Sequence, residues 1–196
     1  MRTPSLARSV VVISLVILAT PPGLAQKPGL AQAPPGGSGA SPAQPAPTSF
    51  LAPARATWES TRLLVLGLIE AMPEDKYDFK PTPTVRSFRE VVVHLVGENY
   101  LFFGRVAGEN LGNPAQNLKT REELLKALRE SYAYGEKVWG DLTEEKALQM
   151  VEGRSGQKVQ RWSAILLAIQ DNMNHYGNLV VYLRLNGLVP PRSAGR

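Results

Sequence analysis

Two histidines occur in the 196-residue chain, His94 and His175, and there is no cysteine. His175 follows Asp171 by four positions in "DNMNHYGNLVVYLRLNG", a mostly apolar stretch closed by a glycine. Four residues is just over one helical turn, so the carboxylate and the imidazole leave a helix on the same side. At a surface such a pair is a hydrogen-bonded contact worth about 0.2–0.5 kcal/mol. The helical period puts it on the side that carries Ala164, Ala168, Leu179 and Tyr182, which is not an ordinary solvated face. His94 lies in "VVVHLVGENY", near Val91, Leu95 and Phe102, with Glu98 one turn on. A core histidine bonded to a backbone carbonyl would explain it. Two imidazoles and one carboxylate are also a ligand set for divalent ions, with positions left for water or substrate. Both readings stand on these residues alone. Neither G-x-S-x-G, a P-loop nor H-E-x-x-H is present to suggest other chemistry.

The elements that must bring these residues together read as helices. "RATWESTRLLVLGLIEAM", residues 55–72, carries Trp58, Thr61, Val65, Leu68 and Met72 on one stripe and stops at Pro73. "PEDKYDFKPTPTV" reads as a polar loop punctuated by proline. Ser87 and Glu90 form a capping box that opens a second helix, with Phe88, Val92, Leu95, Asn99 and Phe102 or Phe103 facing inward. A loop from Gly108 to Asn117 follows. Thr120 and Glu123 repeat the capping box for a third helix through Leu124, Leu128, Tyr132 and Trp139, bounded by Gly140. In the next segment "DLTEEKALQ" suits a short helical turn and "VEGRSGQKV" an exposed turn. The last helix spans about Arg161 to Asn186. Gly187 supplies its left-handed cap, and Pro190 and Pro191 forbid continuation.

Four amphipathic helices without a convincing strand pattern predict an all-α protein, a four-helix bundle. Both histidines fall mid-helix on segments that should pack together, and bundle cores build metal sites from facing helices in this way. Trp58, Trp139 and Trp162 are expected in the core, and Asn172 and Tyr176 in helix packing. The last helix is apolar nearly all round, through Ile165, Leu166, Ile169, Met173, Val180, Val181, Leu183 and Leu185. Such a helix is central or covered by a partner, and a homodimer through this surface is the expectation.

The N-terminal part is of another kind. Residues 1–25 have a basic start at Arg2 and Arg8, an apolar run from Val10 to Ala19, Pro21 and Pro22, and a small-x-small site at Gly23–Ala25. This is the layout of a signal peptide, and the run is shorter than the roughly 20 apolar residues needed to span a bilayer. It predicts a secreted or periplasmic protein with no stable membrane insertion after cleavage. Residues 26–50 are rich in Pro, Ala, Gly, Ser and Gln, and read as a disordered linker reaching on the order of 28 Å. The domain is then 51–196. The formal charge of +5 is concentrated early: Arg2, Arg8 and Lys27 precede residue 51 and no acid does, so 19 of the 22 basic residues face all 17 acids in the domain. With no run of Lys or Arg, nucleic-acid binding is not expected. The absence of cysteine excludes disulfides and lipid attachment at a cysteine.

"AMPEDKYDFKPTPTVRSFREVVVHLVGENY" and "NHYGNLVVYLRLNGLVPP" carry a family resemblance. Over roughly residues 54–193 the chain resembles the DinB-like (damage-inducible) four-helix bundle proteins, relatives of bacterial thiol-dependent transferases and distinct from the similarly named DNA polymerase. The resemblance implies a divalent metal held by three histidines, one on the second helix and an H-x-x-x-H pair on the last. His94 matches the first position and His175 the last, while Asp171 stands where a histidine is usual. The implied site is therefore His94, Asp171 and His175, with Glu98 as a further ligand or a partner of one. The implied cofactor is a divalent cation, Zn, Ni, Fe or Mn. The expected function is that of an exported metal-binding protein, a metal-dependent hydrolase or thiol transferase acting on an unidentified small molecule. The other expectation is a non-catalytic, stress-associated binding module with a structural or vestigial metal.

Overall fold

The structure is a computed structural model and describes residues 49–153 and 155–194. The expected signal peptide, 1–25, and the expected linker up to residue 48 lie outside the described residues.

The described chain is all-α apart from one small hairpin. Its elements are α1 (Leu51–Ala71), α2 (Phe88–Ala107), α3 (Arg121–Gly140), the short α4 (Glu144–Leu148), β1 (Met150–Glu152), β2 (Lys158–Gln160) and α5 (Ser163–Leu185). α5 packs against both α1 and α2, and α3 closes the bundle by packing on α2 and α1. Two helices consecutive in sequence, α1 and α2, therefore lie across the bundle from each other. The segment between them has to cross one end.

The stripes read from the sequence are the buried ones. Trp58, Thr61, Val65, Leu68 and Met72 of the first segment are buried, as are Phe88, Val92, Leu95, Asn99, Phe102 and Phe103 of the second. Trp58 is fully buried and stacks at a tilt on Phe103 and Tyr132, with centroids 4.7 and 5.2 Å away. Both capping boxes form: Ser87 and Thr120 each accept from the backbone N–H three residues on, and Glu90 and Glu123 reach back. α2 and α3 approach closely at Gly135, where an added Cβ would come within 3.0 Å of the Phe103 ring. At the end of α5, Gly187 has φ 73°, and the N–H groups of Gly187 and Leu188 bond the carbonyls of Arg184 and Leu183. This is the expected left-handed stop.

Four details depart from the sequence reading. α1 starts at Leu51 rather than Arg55, because Pro53 falls in the first turn, where its missing N–H costs nothing. Phe50 belongs to the domain: its N–H donates to Glu144 Oε1 at 3.0 Å, and its ring meets Trp162 edge-on at 5.7 Å. Trp162 is accordingly only partly buried, at the entrance to α5, while Trp58 and Trp139 are in the core. The loop after α1 is not merely polar. Tyr77 is fully buried, donates its hydroxyl to the Ile69 carbonyl at 3.1 Å, and is pushed up to about 12 in pKa by burial. Finally, "VEGRSGQKV" is the tip of an antiparallel hairpin in which Val151 faces Val159. Its strands have three residues each, too short for their exposed, half-buried, exposed alternation to stand out as a period.

The outer face of α5 remains apolar, with Leu166, Leu167, Val181 and Leu185 exposed. No helix among the described residues is long and apolar enough to cross a membrane.

Candidate metal centre

His94 projects from α2, and Asp171 and His175 from successive turns of α5. The α2–α5 packing brings the three together. His175 Nε2 lies 3.5 Å from Asp171 Oδ1, and His94 Nε2 lies 3.9 Å from the same oxygen. The two imidazole rings meet edge to face, 4.8 Å between centroids. One ligand atom from each residue falls within 4.8 Å of the others. The buried alanines expected on this side, Ala164 and Ala168, and the buried Leu179 and Tyr182 surround the pair on α5.

The arrangement suits a cation better than it suits a simple Asp–His contact. At 3.5 Å the within-helix pair is too long for a good hydrogen bond. Asp171 Oδ2 and His175 Nδ1 are both buried without a hydrogen-bond partner. The atoms that converge are the others, Asp171 Oδ1 and the two Nε2 nitrogens. Ligands held about 2.0–2.2 Å from a divalent ion lie roughly 3.0–3.6 Å from one another, close enough to the observed separations that side-chain rotation can bring the donors in. The donor set, two borderline nitrogens and one hard oxygen, fits Zn, Ni, Fe or Mn. His175 is buried, whereas His94 and Asp171 are only partly so, which leaves a route to the ligand atoms from solvent.

Glu98 occupies a different place from the other three. Its Oε1 is 3.9 Å from His94 Nδ1, on the ring nitrogen other than the one that faces Asp171. It lies on the side where a carboxylate behind a ligating imidazole stands, at a separation longer than a hydrogen bond.

One feature of the centre escaped the sequence reading. Asn172, assigned only to packing, joins a chain of buried hydrogen bonds that ties three helices together. The Tyr132 hydroxyl donates to Asn172 Oδ1 at 2.7 Å, and Asn172 Nδ2 donates to Asn99 Oδ1 at 2.8 Å and to the Ala168 carbonyl at 2.9 Å. Asn99 Nδ2 in turn donates to Ser131 Oγ at 3.0 Å, and Ser131 to the Leu128 carbonyl at 2.8 Å. Burial pushes the Tyr132 hydroxyl far above its ordinary range, and the Asp171 charge adds to the effect, so the phenol stays a neutral donor. Asn99 and Asn172 immediately follow Glu98 and Asp171 in sequence. Their hydrogen bond therefore sets the register of α2 against α5 at the level of the ligands. The signal that could have revealed it was Asn99 itself, a polar residue in the middle of an apolar stripe.

Beside His175 opens a cleft of about 530 Å³, walled by Val91, Val181 and Tyr182 and by the loop from Pro81 to Arg86.

Comparison with known proteins agrees with the fold. The sequence profile of the DinB family matches residues 54–195. The uncharacterized protein YjoA of Bacillus subtilis (strain 168) is 33% identical over 134 residues, which cover 65% of this chain and 85% of YjoA. The crystal structure of YjoA, a DinB-like protein, superposes with a TM-score of 0.59 at 28% identity, covering 69% of this chain and 92% of that one. A DinB-like protein from Bacillus cereus ATCC 10987 has the same fold at 13% identity, with a TM-score of 0.63 and coverage of 70% and 93%. So does the mycothiol-dependent maleylpyruvate isomerase, at 12% identity and a TM-score of 0.55, covering 66% of this chain and 60% of the isomerase. With the family profile matched from the first turn of α1 to beyond α5, the chain belongs to the DinB family.

Proposed function

We propose that this protein is an exported divalent-metal-binding member of the family, in which His94, Asp171 and His175 hold the ion and leave coordination positions open to a substrate. The observation that carries this reading is the convergence of three possible ligand atoms from facing helices, with His175 Nε2 and His94 Nε2 3.5 and 3.9 Å from Asp171 Oδ1. A bound divalent ion would supply Lewis acidity towards a substrate oxygen or towards a thiol sulfur, which suits hydrolysis or thiol transfer. The thiol alternative draws on the fold shared with the mycothiol-dependent isomerase. The chain's own residues do the positioning. Glu98 stands beside His94 Nδ1, the Asn99–Asn172 hydrogen bond keeps α2 and α5 in register, and the adjacent cleft offers a binding surface next to His175.

Titration calorimetry with Zn²⁺, Ni²⁺ and Mn²⁺ on the parent and on three single variants, His94→Ala, Asp171→Ala and His175→Ala, tests the site. Each variant loses a direct bond, so affinity should fall by more than the 10–100-fold typical of partners behind the ligands. Unchanged affinity in all three would remove the metal site. Export rests on the basic, apolar and small-residue pattern of residues 1–25. Intact mass of protein recovered from the native envelope should correspond to a chain beginning at Gln26, and a chain still beginning at Met1 would contradict it.

A further inference from the structure

We propose that the cleft beside His175 is the substrate's anchoring subsite, and that it selects a small organic carboxylate with an apolar body, held by Arg86. The proposal rests on the metal reading above for the reactive end of that substrate, and on the cleft's own chemistry for its identity.

The cleft has the dimensions of a small-molecule site: about 530 Å³, within the roughly 300–1,000 Å³ usual for such pockets. Its apolar lining comes from Pro81, Val85, Val91 and Val181 with Tyr182, beside the neutral polar Thr84 and Asn178. Apart from the His175 imidazole, the one ionisable group with a fixed charge along it is the Arg86 guanidinium. That charge is uncompensated among the described residues. The nearest acid in sequence, Glu90, is already engaged by the Ser87 N–H at 2.6 Å and by Lys80 Nζ at 3.0 Å. Arg55, Arg62, Arg89 and Arg129 each pair with a carboxylate; Arg86, like Arg105, Arg184 and Arg192, pairs with none among the described residues, and of these it is the one that lines the cleft.

Arg86 is also held in place. Its carbonyl accepts the Tyr182 hydroxyl at 2.5 Å, which fastens the loop to α5 two turns beyond His175. The next residue, Ser87, is the N-cap of α2. The arginine backbone is thus fixed at both sides while its side chain stays exposed.

A fixed guanidinium recognises a carboxylate by paired, charge-assisted hydrogen bonds. A single cation among apolar walls suits one carboxylate better than a phosphate dianion, which needs more donors. The geometry therefore favours a substrate whose carboxylate meets Arg86 and whose apolar part lies along Val91 and Val181 towards His175.

The test uses benzoate as the probe and benzamide as its neutral counterpart, each titrated into the ¹⁵N-labelled chain and followed by amide chemical shifts. Metal-free and zinc-loaded protein are both measured. Benzoate should shift amides around residues 84–91 and 175–182 and bind at least tenfold more weakly to Arg86→Gln. Benzamide should bind the parent at least tenfold more weakly than benzoate and be indifferent to that change. Val181→Asp, which puts an opposing charge on an exposed wall position, should weaken benzoate comparably. Both substitutions are at exposed sites, and the spectrum itself reports whether the fold is kept. Equal benzoate affinity in the parent and Arg86→Gln overturns the proposal, as does equal affinity for the neutral probe. Zinc titration of the parent separates this from the metal reading. Arg86-dependent benzoate binding without zinc binding supports the subsite and removes the metal. Zinc binding with benzoate indifferent to Arg86 does the reverse.

Discussion

Two polar clusters lie side by side where α2 and α5 meet, and they are built on opposite terms. Asn99, Ser131, Tyr132 and Asn172 form a closed chain of hydrogen bonds in the core, running from the Tyr132 hydroxyl to the Leu128 carbonyl. His94, Asp171 and His175 stand next to it, and there Asp171 Oδ2 and His175 Nδ1 are buried without a hydrogen-bond partner. A closed network stabilises the native state, because every buried polar group has replaced its water. An open one is a cost to folding unless something else completes it. The α2–α5 contact thus holds one polar cluster whose members satisfy one another and one in which two buried side-chain atoms have no hydrogen-bond partner.

The largest expected effect breaks the closed cluster. Asn172→Leu strands the Tyr132 hydroxyl and Asn99 Oδ1 in the core, which should cost roughly 2–5 kcal/mol of unfolding free energy in urea. A loss below about 1 kcal/mol would show that the network is not a stabilising element.

The open cluster should respond in the opposite way. In metal-free protein, Asp171→Ala should leave stability within about 1 kcal/mol of the parent, because the carboxylate it removes is poorly satisfied. Zinc at about 100 times its dissociation constant should stabilise the parent by roughly 2.7 kcal/mol and leave Asp171→Ala unprotected. Thermal melts with and without zinc read both outcomes. A large loss in the metal-free variant would mean that the two clusters are alike.

A smaller effect sharpens the nature of the open cluster. Asp171→His restores the three-histidine set that the family resemblance implies. Nitrogen favours Zn²⁺ and Ni²⁺ where oxygen favours Mn²⁺ and Fe²⁺, so this variant should bind zinc roughly tenfold more tightly, about 1.4 kcal/mol, and manganese less well. Competition between the two ions in one calorimetric series measures the shift. An unchanged preference would take Asp171 out of the ligand set.

The smallest effect lies outside both clusters and serves as their control. The Ser87 N–H, then Lys80, hold the Glu90 carboxyl below its usual value of 4.5. The unfolded chain then takes up the proton first. The contribution is present above about pH 4.5 and is lost as pH falls through the lowered folded value. Because the side chain is about half exposed, at 52%, the effect should be under about 1 kcal/mol. Glu90→Gln should flatten the acid limb of a stability–pH curve by that amount and leave zinc affinity unchanged.

The sequence by itself determined the helices and their inner faces. Apolar residues at helical spacing, two capping boxes and the Gly187 stop are local signals, and each acts within a few residues. It also marked His94, Asp171 and His175 as candidates, since residue type and the i,i+4 spacing are local too. What it could not contain was the way α2 meets α5. That placed His94 Nε2 within 3.9 Å of Asp171, moved Glu98 behind His94, and turned Asn99 and Asn172 from packing residues into a register-setting bond. The hairpin and the buried Tyr77 were hidden for the same reason, as contacts with distant residues decide their burial and pairing. The cleft at Arg86 is the clearest case. Its loop and the helix that carries His175 are far apart in sequence, and a cavity is a property of the space between elements, which only their packing creates.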